Sequence, residues 1–351
     1  MPRLRLAVIA LVIAFGLLWR PFLQPAGQGA VLILDLFAPL IGVNLAQVVS
    51  PEPRVEETVA DLAGTATRIT WWRPGHGDSH AGVMMVNGAT ADGNANPATR
   101  QLGVALARAG FLAMLPEFGF LKAGRFDTGA TAQLDSALEH LRQRPENAGR
   151  TAGAFGASVG GGALLAAAGS EPWVRGADYV VVLGAYYDLD TYLASVVSRS
   201  QLRDGRVVPW APSQEALERL PAAVLAAVPP SEREQVRAAT APDSYGSALA
   251  RIRALPRDSR VVFDALSPET VWGRIAPPVF WLHDPNDTYE PLAEGEAAAA
   301  APRQGRFTLI VPGLVQHAEV SKGAGDRGPF EVVRELASLL GAIIEIMRLA
   351  R

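Results

Sequence analysis

One serine set among glycines, and five histidines in a chain of 351 residues without cysteine, frame the chemistry open to this sequence. Gly156-Ala157-Ser158-Val159-Gly160 fits the G-x-S-x-G pattern, in which a strand turns sharply into a helix and lifts one hydroxyl into the open. The glycines two before and two after have a steric role, because the neighbours of a serine on so tight a turn press against adjacent strands and leave no room for a Cβ. A chain with 34 glycines can also meet this pattern in a plain glycine-rich turn. Partners decide between the two readings, since an unassisted serine has almost no alkoxide at neutral pH and needs a general base.

The histidines are few enough to weigh singly. His76 and His80 fall in or beside a turn at 74–78 and read as exposed loop residues, with no carboxylate or histidine at a ligand-like spacing. His140 stands near the end of an amphipathic stretch at 131–142, where a histidine complements the helix dipole. His283 opens the segment His283-Asp284-Pro285-Asn286-Asp287 directly after an apolar run at 278–282, and His317 follows the run at 307–311 by six residues. Glu117 also follows a strand-like run, at 111–115; it reads as a solvated loop acid rather than a catalytic carboxylate.

These loops need elements to carry them. Runs at 55–72, 83–86, 111–115, 150–155, 179–183, 278–282 and 307–311 read as strands, and stretches at 100–109, 131–142, 163–168, 291–301 and 330–347 as helices. Their alternation predicts a mostly parallel sheet covered on both faces. Between the fifth and sixth of these strand-like runs lie roughly ninety residues, 186–276, too many for a loop. With helical stretches at 214–227 and 231–253, they predict a helical cap over the carboxyl ends of the strands, where ligands bind in such sheets. The expected division is an N-terminal hydrophobic segment at 1–50, a core in two parts at 51–185 and 277–351, and the cap between them.

The N-terminus reads Arg3, Arg5, an apolar run at 6–19 and then Arg20, which matches a secretory signal or an uncleaved anchor. No small-x-small cleavage site follows Trp19, so a membrane anchor is expected. A second apolar stretch at 30–49 is interrupted by Asp35, Pro39 and Asn44. It fits an interfacial or re-entrant helix, half of a hairpin, or a buried helix. One span with Arg3 and Arg5 inside places the rest outside the cytoplasm, as expected here; two spans return it.

Composition narrows the partners. A net charge of −3 and a pI near 6.0 give no basic surface for nucleic acid, and 49% hydrophobic residues suffice for a large core. The absence of cysteine removes disulfides and thiolate chemistry. No Gly-Lys-Ser/Thr ends the glycine-rich turn, and its place in the chain does not fit a dinucleotide fingerprint, so neither a cofactor nor a metal is expected.

Taken together, Asn87-Gly88-Ala89, Gly156-Ala157-Ser158-Val159-Gly160, His283-Asp284-Pro285-Asn286-Asp287 and the late His317 resemble the α/β-hydrolase family, over about residue 54 to the end. The resemblance implies an α/β-hydrolase sheet flanked by helices, with Ser158 as nucleophile, His317 as its general base and Asp287 as the acid that orients His317. It also implies an oxyanion hole from the backbone N–H groups of Val159 and Ala89. Many relatives carry His-Gly where this chain has Asn87-Gly88, which a backbone donor tolerates. Asp284 stands where glycine is usual and is a rival acid, while His283 is expected to shape the turn. Aspartate at the elbow would suggest a dehalogenase or epoxide hydrolase, and cysteine a dienelactone hydrolase; this chain has Ser158. The implied activity is serine-dependent cleavage of an ester or related carboxylic acid derivative, esterase- or lipase-like, through an acyl-enzyme. A small-molecule ester or lipid-like compound is the expected substrate. A peptidase or an acyltransferase would use the same constellation, and a non-catalytic scaffold tethered to a membrane is the alternative of another class.

Overall fold

A computed structural model describes residues 24–36, 38, 44, 46–312, 315, 316, 319, 320 and 329–350. In chain order its main elements begin with helix α1 (Gln24–Leu36), strands β1 (Arg54–Leu62), β2 (Thr65–Arg73) and β3 (Gly82–Val86), helix α2 (Pro97–Arg108), strand β4 (Leu112–Pro116) and helix α3 (Ala130–Arg142). Strand β5 (Ala152–Ala157) then runs into helix α4 (Ser158–Ser170), and strand β6 (Val180–Leu183) into helix α5 (Leu189–Ser198). A hairpin of β7 (Ser200–Arg203) and β8 (Arg206–Pro209) precedes helices α6 (Gln214–Ala227), α7 (Arg233–Ala239), α8 (Tyr245–Arg253) and α9 (Arg257–Leu266). Strand β9 (Val279–Leu282), helix α10 (Leu292–Ala300), strand β10 (Phe307–Ile310) and helix α11 (Pro329–Leu349) complete the chain.

Eight strands form one sheet in the order β1-β2-β4-β3-β5-β6-β9-β10. β1 pairs with β2, and β2 with β4, in antiparallel fashion; the remaining pairs are parallel. Strands β3, β4, β6 and β9 are short apolar runs buried along most of their length, as expected where helices cover both faces. On one face α3 and α4 contribute Leu134, Leu138, Leu141, Leu164 and Leu165 to the core. On the other, Leu32 of α1, Leu106 of α2 and Leu339, Ile343 and Met347 of α11 share a second cluster with Val83, Met85 and Phe280 of the strands.

The first strands arise from the 55–72 alternation as a tight hairpin. Of the apolar stretch at 30–49, residues 30–36 belong to helix α1, in which Leu32 and Asp35 are buried. A Cβ on Gly29 would lie 3.2 Å from Ile343 of α11, so the two helices lie in close contact. The charge that interrupts the stretch is compensated within the protein, since Asp35 is fully buried, accepts a hydrogen bond from Asn44 Nδ2 at 2.5 Å and lies 3.7 Å from Arg108. No helix among the described residues is long and apolar enough to cross a membrane. The expected anchor at 6–19 lies outside the described residues.

Residues 186–276 are not purely helical. The β7–β8 hairpin lies among the helices, in a segment the sequence reading left without structure. Tyr186, Leu193, Val196, Leu220, Val236, Ile252 and Phe263 give this region its own hydrophobic cluster.

Candidate active site

The register of the sheet fixes which residues share one edge. Ala157 pairs with Leu183, Leu183 with Leu282 and Leu282 with Ile310, so four parallel strands end in line. Ser158, Gly184, His283 and Val311 are therefore the first residues beyond the same edge. Val86 pairs with Gly156 one strand away, which brings the Asn87-Gly88-Ala89 loop alongside Ser158.

Ser158 has φ of +50°, a left-handed conformation that is strained for a residue with a side chain. It stands between the last residue of β5 and the first turn of α4, whose unpaired N–H groups, Val159 among them, carry the positive end of the helix dipole. The glycines around it have the predicted steric role. A Cβ on Gly160 would sit 1.9 Å from the carbonyl oxygen of Asn87, and one on Gly156 would sit 2.8 Å from Cα of Gly161. Gly88 lies so close that a Cβ there would be 3.1 Å from Cβ of Ser158 and 3.7 Å from its Oγ. Ser158, Val159, Gly88 and Ala89 are all partly exposed.

Asn87, which stands where many relatives have histidine, turns its side chain away from Ser158. Its Nδ2 donates to the carbonyl of Gly93 at 3.1 Å and its Oδ1 accepts from Thr99 Oγ1 at 2.6 Å, which shapes the loop from within.

Beyond β9, Asp287 is buried and its Oδ1 accepts from the N–H groups of Tyr289 at 2.7 Å and Glu290 at 3.1 Å. Asp284 is also buried, and its Oδ1 accepts from Asn286 N–H at 2.9 Å. His283 is fully buried. Trp281 Nε1–H donates to its Nδ1 at 3.1 Å, which leaves the proton on Nε2 to donate to the carbonyl of Glu290 at 2.9 Å. It thus ties the turn together, as expected. His317 lies outside the described residues.

The remaining histidines lie elsewhere. His80 bonds the carbonyl of Gly77 before β3 begins, at the amino edge of the sheet, and His76 is in the same turn. His140 packs its ring 5.9 Å from that of Trp71, beside Leu141, which meets Gly82 at the start of β3. Burial lowers the pKa of both His80 and His140. Glu117 is paired with Arg68 at 2.8 Å and Lys122 at 3.2 Å, and accepts from Asn94 N–H. Burial pushes its pKa up, but those partners outweigh it and hold the carboxyl below its usual range.

The structure also brings forward groups the sequence reading did not single out. Glu290 is fully buried, and its Oε1 accepts from Ser158 Oγ at 2.6 Å and from the Tyr192 hydroxyl at 3.3 Å. Tyr192 stacks on Tyr186 with ring centroids 5.4 Å apart. Burial, then the charges of Glu290 and Asp287, raise the Tyr192 pKa well above the ordinary phenol value. One turn along α10, Glu294 accepts from the N–H groups of Tyr187 and Asp188, each at 2.9 Å, and from Thr191 Oγ1 at 2.7 Å. Burial and the neighbouring Asp188 push Glu294 up to about 7, and burial with Asp190 pushes Asp188 up to about 6. In the sequence, Glu290 and Glu294 flank Pro291 and read as ordinary acids at a helix start; only the packing shows them buried.

Residues between β8 and α6, together with Glu215 of α6, grip this loop. Trp210 Nε1–H donates to the carbonyl of Asp287 at 2.7 Å, Ser213 N–H to that of Thr288 at 2.7 Å, and Tyr289 donates to Glu215 at 2.8 Å.

No protein-family model matches the sequence, and no curated protein is significantly similar to it in sequence. Among solved structures, it is similar to brefeldin A esterase, described as a bacterial homologue of human hormone-sensitive lipase, with a TM-score of 0.52 at 16% identity over 92% of this chain and 87% of that one. It is also similar to 2,6-dihydroxy-pseudo-oxynicotine hydrolase, with a TM-score of 0.52 at 15% identity over 86% of this chain and 71% of that one. At this identity the likeness speaks to architecture, and it agrees with the strand order and the strained serine turn: the chain has the α/β-hydrolase fold.

Proposed function

We infer that the protein is a serine hydrolase that cleaves an ester or related carboxylic acid derivative through an acyl-enzyme. The observation that carries this reading is Ser158 itself, held at φ of +50° and partly exposed at the edge where β5, β6, β9 and β10 end together. A strained, solvent-reachable serine at a helix N-terminus is costly to maintain and is explained by attack on an acyl carbon. In this reading His317 takes the proton of the attacking group and Asp287 orients it. The elimination of His76, His80, His140 and His283 by position or by bonding supports His317 among the chain's five histidines. Between Asp287 and Asp284, the family spacing favours Asp287. The N–H groups of Val159 and Ala89 receive the oxyanion, consistent with Gly88 lying against Ser158.

Small-molecule esters are the expected substrates, as the names of the two structural neighbours, an esterase and a hydrolase, also suggest. Residues 186–276 would close over the acyl group as a cap. With α1 packed on α11, a single span at 6–19 would hold the enzyme at a membrane and place it outside the cytoplasm. The decisive experiment is labelling of the full chain with a fluorophosphonate and mapping of the adduct by mass spectrometry. One adduct on Ser158, absent from Ser158→Ala and strongly slowed in His317→Ala, is expected. No adduct under conditions where a reference serine hydrolase reacts would overturn the enzyme reading in favour of a binding scaffold.

A further inference from the structure

The loop that carries Asp287 is held in shape from within and in place from outside. Asp287 Oδ1 accepts from the N–H groups of Tyr289 and Glu290, and the Asp287 N–H donates to the carbonyl of Asp284 at 3.2 Å. His283 Nε2 donates across the loop to the carbonyl of Glu290. The carboxylate is thus locked to its own backbone, and keeps its aim only while the loop keeps its place. The carbonyls of Asp287 and Thr288 accept from outside the loop, from the Trp210 indole N–H and the Ser213 backbone N–H. Each bond is 2.7 Å, at the short end of the ~2.7–3.2 Å range for N–H donors.

Trp210 is itself well fixed. Its backbone N–H donates to the carbonyl of Arg199 at 3.0 Å, one residue beyond the paired ends of β7 and β8, and Pro209 and Pro212 restrict the chain on either side. Its ring packs against the hydrophobic cluster of residues 186–276. The hairpin behind it is clamped to α10, the helix that follows the Asp287 loop: Arg203 Nε donates to Glu296 at 2.9 Å, and Gln201 Oε1 accepts from the Ala293 N–H at 3.2 Å. Packing asks only for an apolar ring at position 210, and the bond to Asp287 uses the one polar atom that tryptophan adds.

Resting on the serine-hydrolase reading, in which Asp287 orients His317, we propose that Trp210 is a positioning residue: contributed by residues 186–276, its indole N–H holds the Asp287 loop where the carboxylate can orient the general base. Trp210 acts through Asp287 and makes or breaks no bond in the reaction. Without its N–H the loop drifts, and the carboxylate meets a developing imidazolium less well. That charge appears in the transition state and not on substrate binding, so kcat and kcat/KM fall together.

The test is a double-mutant cycle in the full chain, with wild type, Trp210→Phe, Asp287→Asn and the double variant. Each is followed by p-nitrophenyl ester hydrolysis, fluorophosphonate labelling of Ser158 and thermal unfolding. Asparagine keeps an oxygen for the N–H groups of Tyr289 and Glu290, so the loop retains its internal bonds. Trp210→Phe alone should lower kcat and kcat/KM alike, by about 10- to 100-fold. In the Asp287→Asn background it should lower them by less than about twofold more, because its effect passes through the carboxylate. Should Trp210→Phe fail to fold, 3-benzothienylalanine at position 210, with sulfur in place of the N–H in a ring of the same shape, must give the same pattern. Equal losses in both backgrounds, a rise in KM alone or no loss at all overturns the role of Trp210 and leaves the hydrolase reading standing. Wild-type rates in Asp287→Asn overturn it as well, together with the choice of Asp287 over Asp284. A wild type with neither hydrolysis nor adduct overturns the hydrolase reading and the role of Trp210 with it.

Discussion

Gly160→Ala puts the architecture of the serine turn to a quantitative test. The added Cβ would lie 1.9 Å from the carbonyl oxygen of Asn87 and 3.0 Å from both the Asn87 carbonyl carbon and Val86 Cγ1. The nearest obstacle is backbone, so no side chain can rotate away. Helix α4 and the Asn87–Gly88 loop must separate by about 1.5 Å to reach ordinary van der Waals contact. Overpacking of this kind costs ~1–3 kcal/mol, which corresponds to a fall in Tm of roughly 1–4 °C for a chain of this size. The functional effect should exceed the loss of stability. Opening the loop withdraws one oxyanion donor from the other, and a displacement of about 1 Å near the reacting centre costs ~10²-fold in kcat/KM. The assay is initial-rate hydrolysis of a short-chain p-nitrophenyl ester, with thermal unfolding in parallel. Gly246→Ala is the control: its Cβ meets nothing within 4 Å, near the start of α8, and it should stabilise by ~0.5–1 kcal/mol with activity unchanged. A Gly160→Ala protein with wild-type Tm and kcat/KM within about twofold would refute the close approach on which the oxyanion reading depends.

Other consequences are direct. Ser158→Ala and Ser158→Gly should both lose the fluorophosphonate adduct, but the glycine variant should be the more stable by ~1 kcal/mol, because only glycine holds φ near +50° without strain. Equal stability in chemical denaturation would remove the argument from strain. Glu294 is raised from 4.5 to about 7 in the folded protein, so between those values the folded state keeps a proton that the unfolded chain has lost. Stability from this group is therefore greatest below about pH 4.5 and declines as pH rises towards 7. Glu294→Gln, which keeps an acceptor for Tyr187 and Asp188 and an amide for Thr191, should gain in Tm relative to wild type between pH 5 and about 8. A Tm difference independent of pH would count against a buried, proton-holding Glu294.

Much of the site was legible because its residues sit in local patterns. The glycines around Ser158 disclose a turn without room for a Cβ, and apolar runs followed by His283-Asp284-Pro285-Asn286-Asp287 or by His317 place those segments at strand ends. Period-two and helical spacings likewise mark the sheet and its covering helices, since they follow from backbone geometry within a few residues. The stretch at 30–49 was ambiguous for the same reason. An apolar helix looks alike whether lipid or Leu339, Ile343 and Met347 of α11 cover it, and Asp35 finds Asn44 and Arg108 only once the chain has folded.

What the sequence determined by itself was therefore the kind of fold, the serine turn and the loops able to serve it. Tertiary structure decided the in-line ending of β5, β6, β9 and β10, the turn of Asn87 towards Thr99 and Gly93, the grip of Trp210 on the Asp287 loop, and the seat of Glu290 beside Ser158. Ser158 and Glu290 are 132 positions apart. No local spacing encodes their contact, because it is set by the register of strands whose pairing spans much of the chain; the same acid at a helix start is solvated in most proteins and is buried against Ser158 here only because β5 and β9 both lie beside β6.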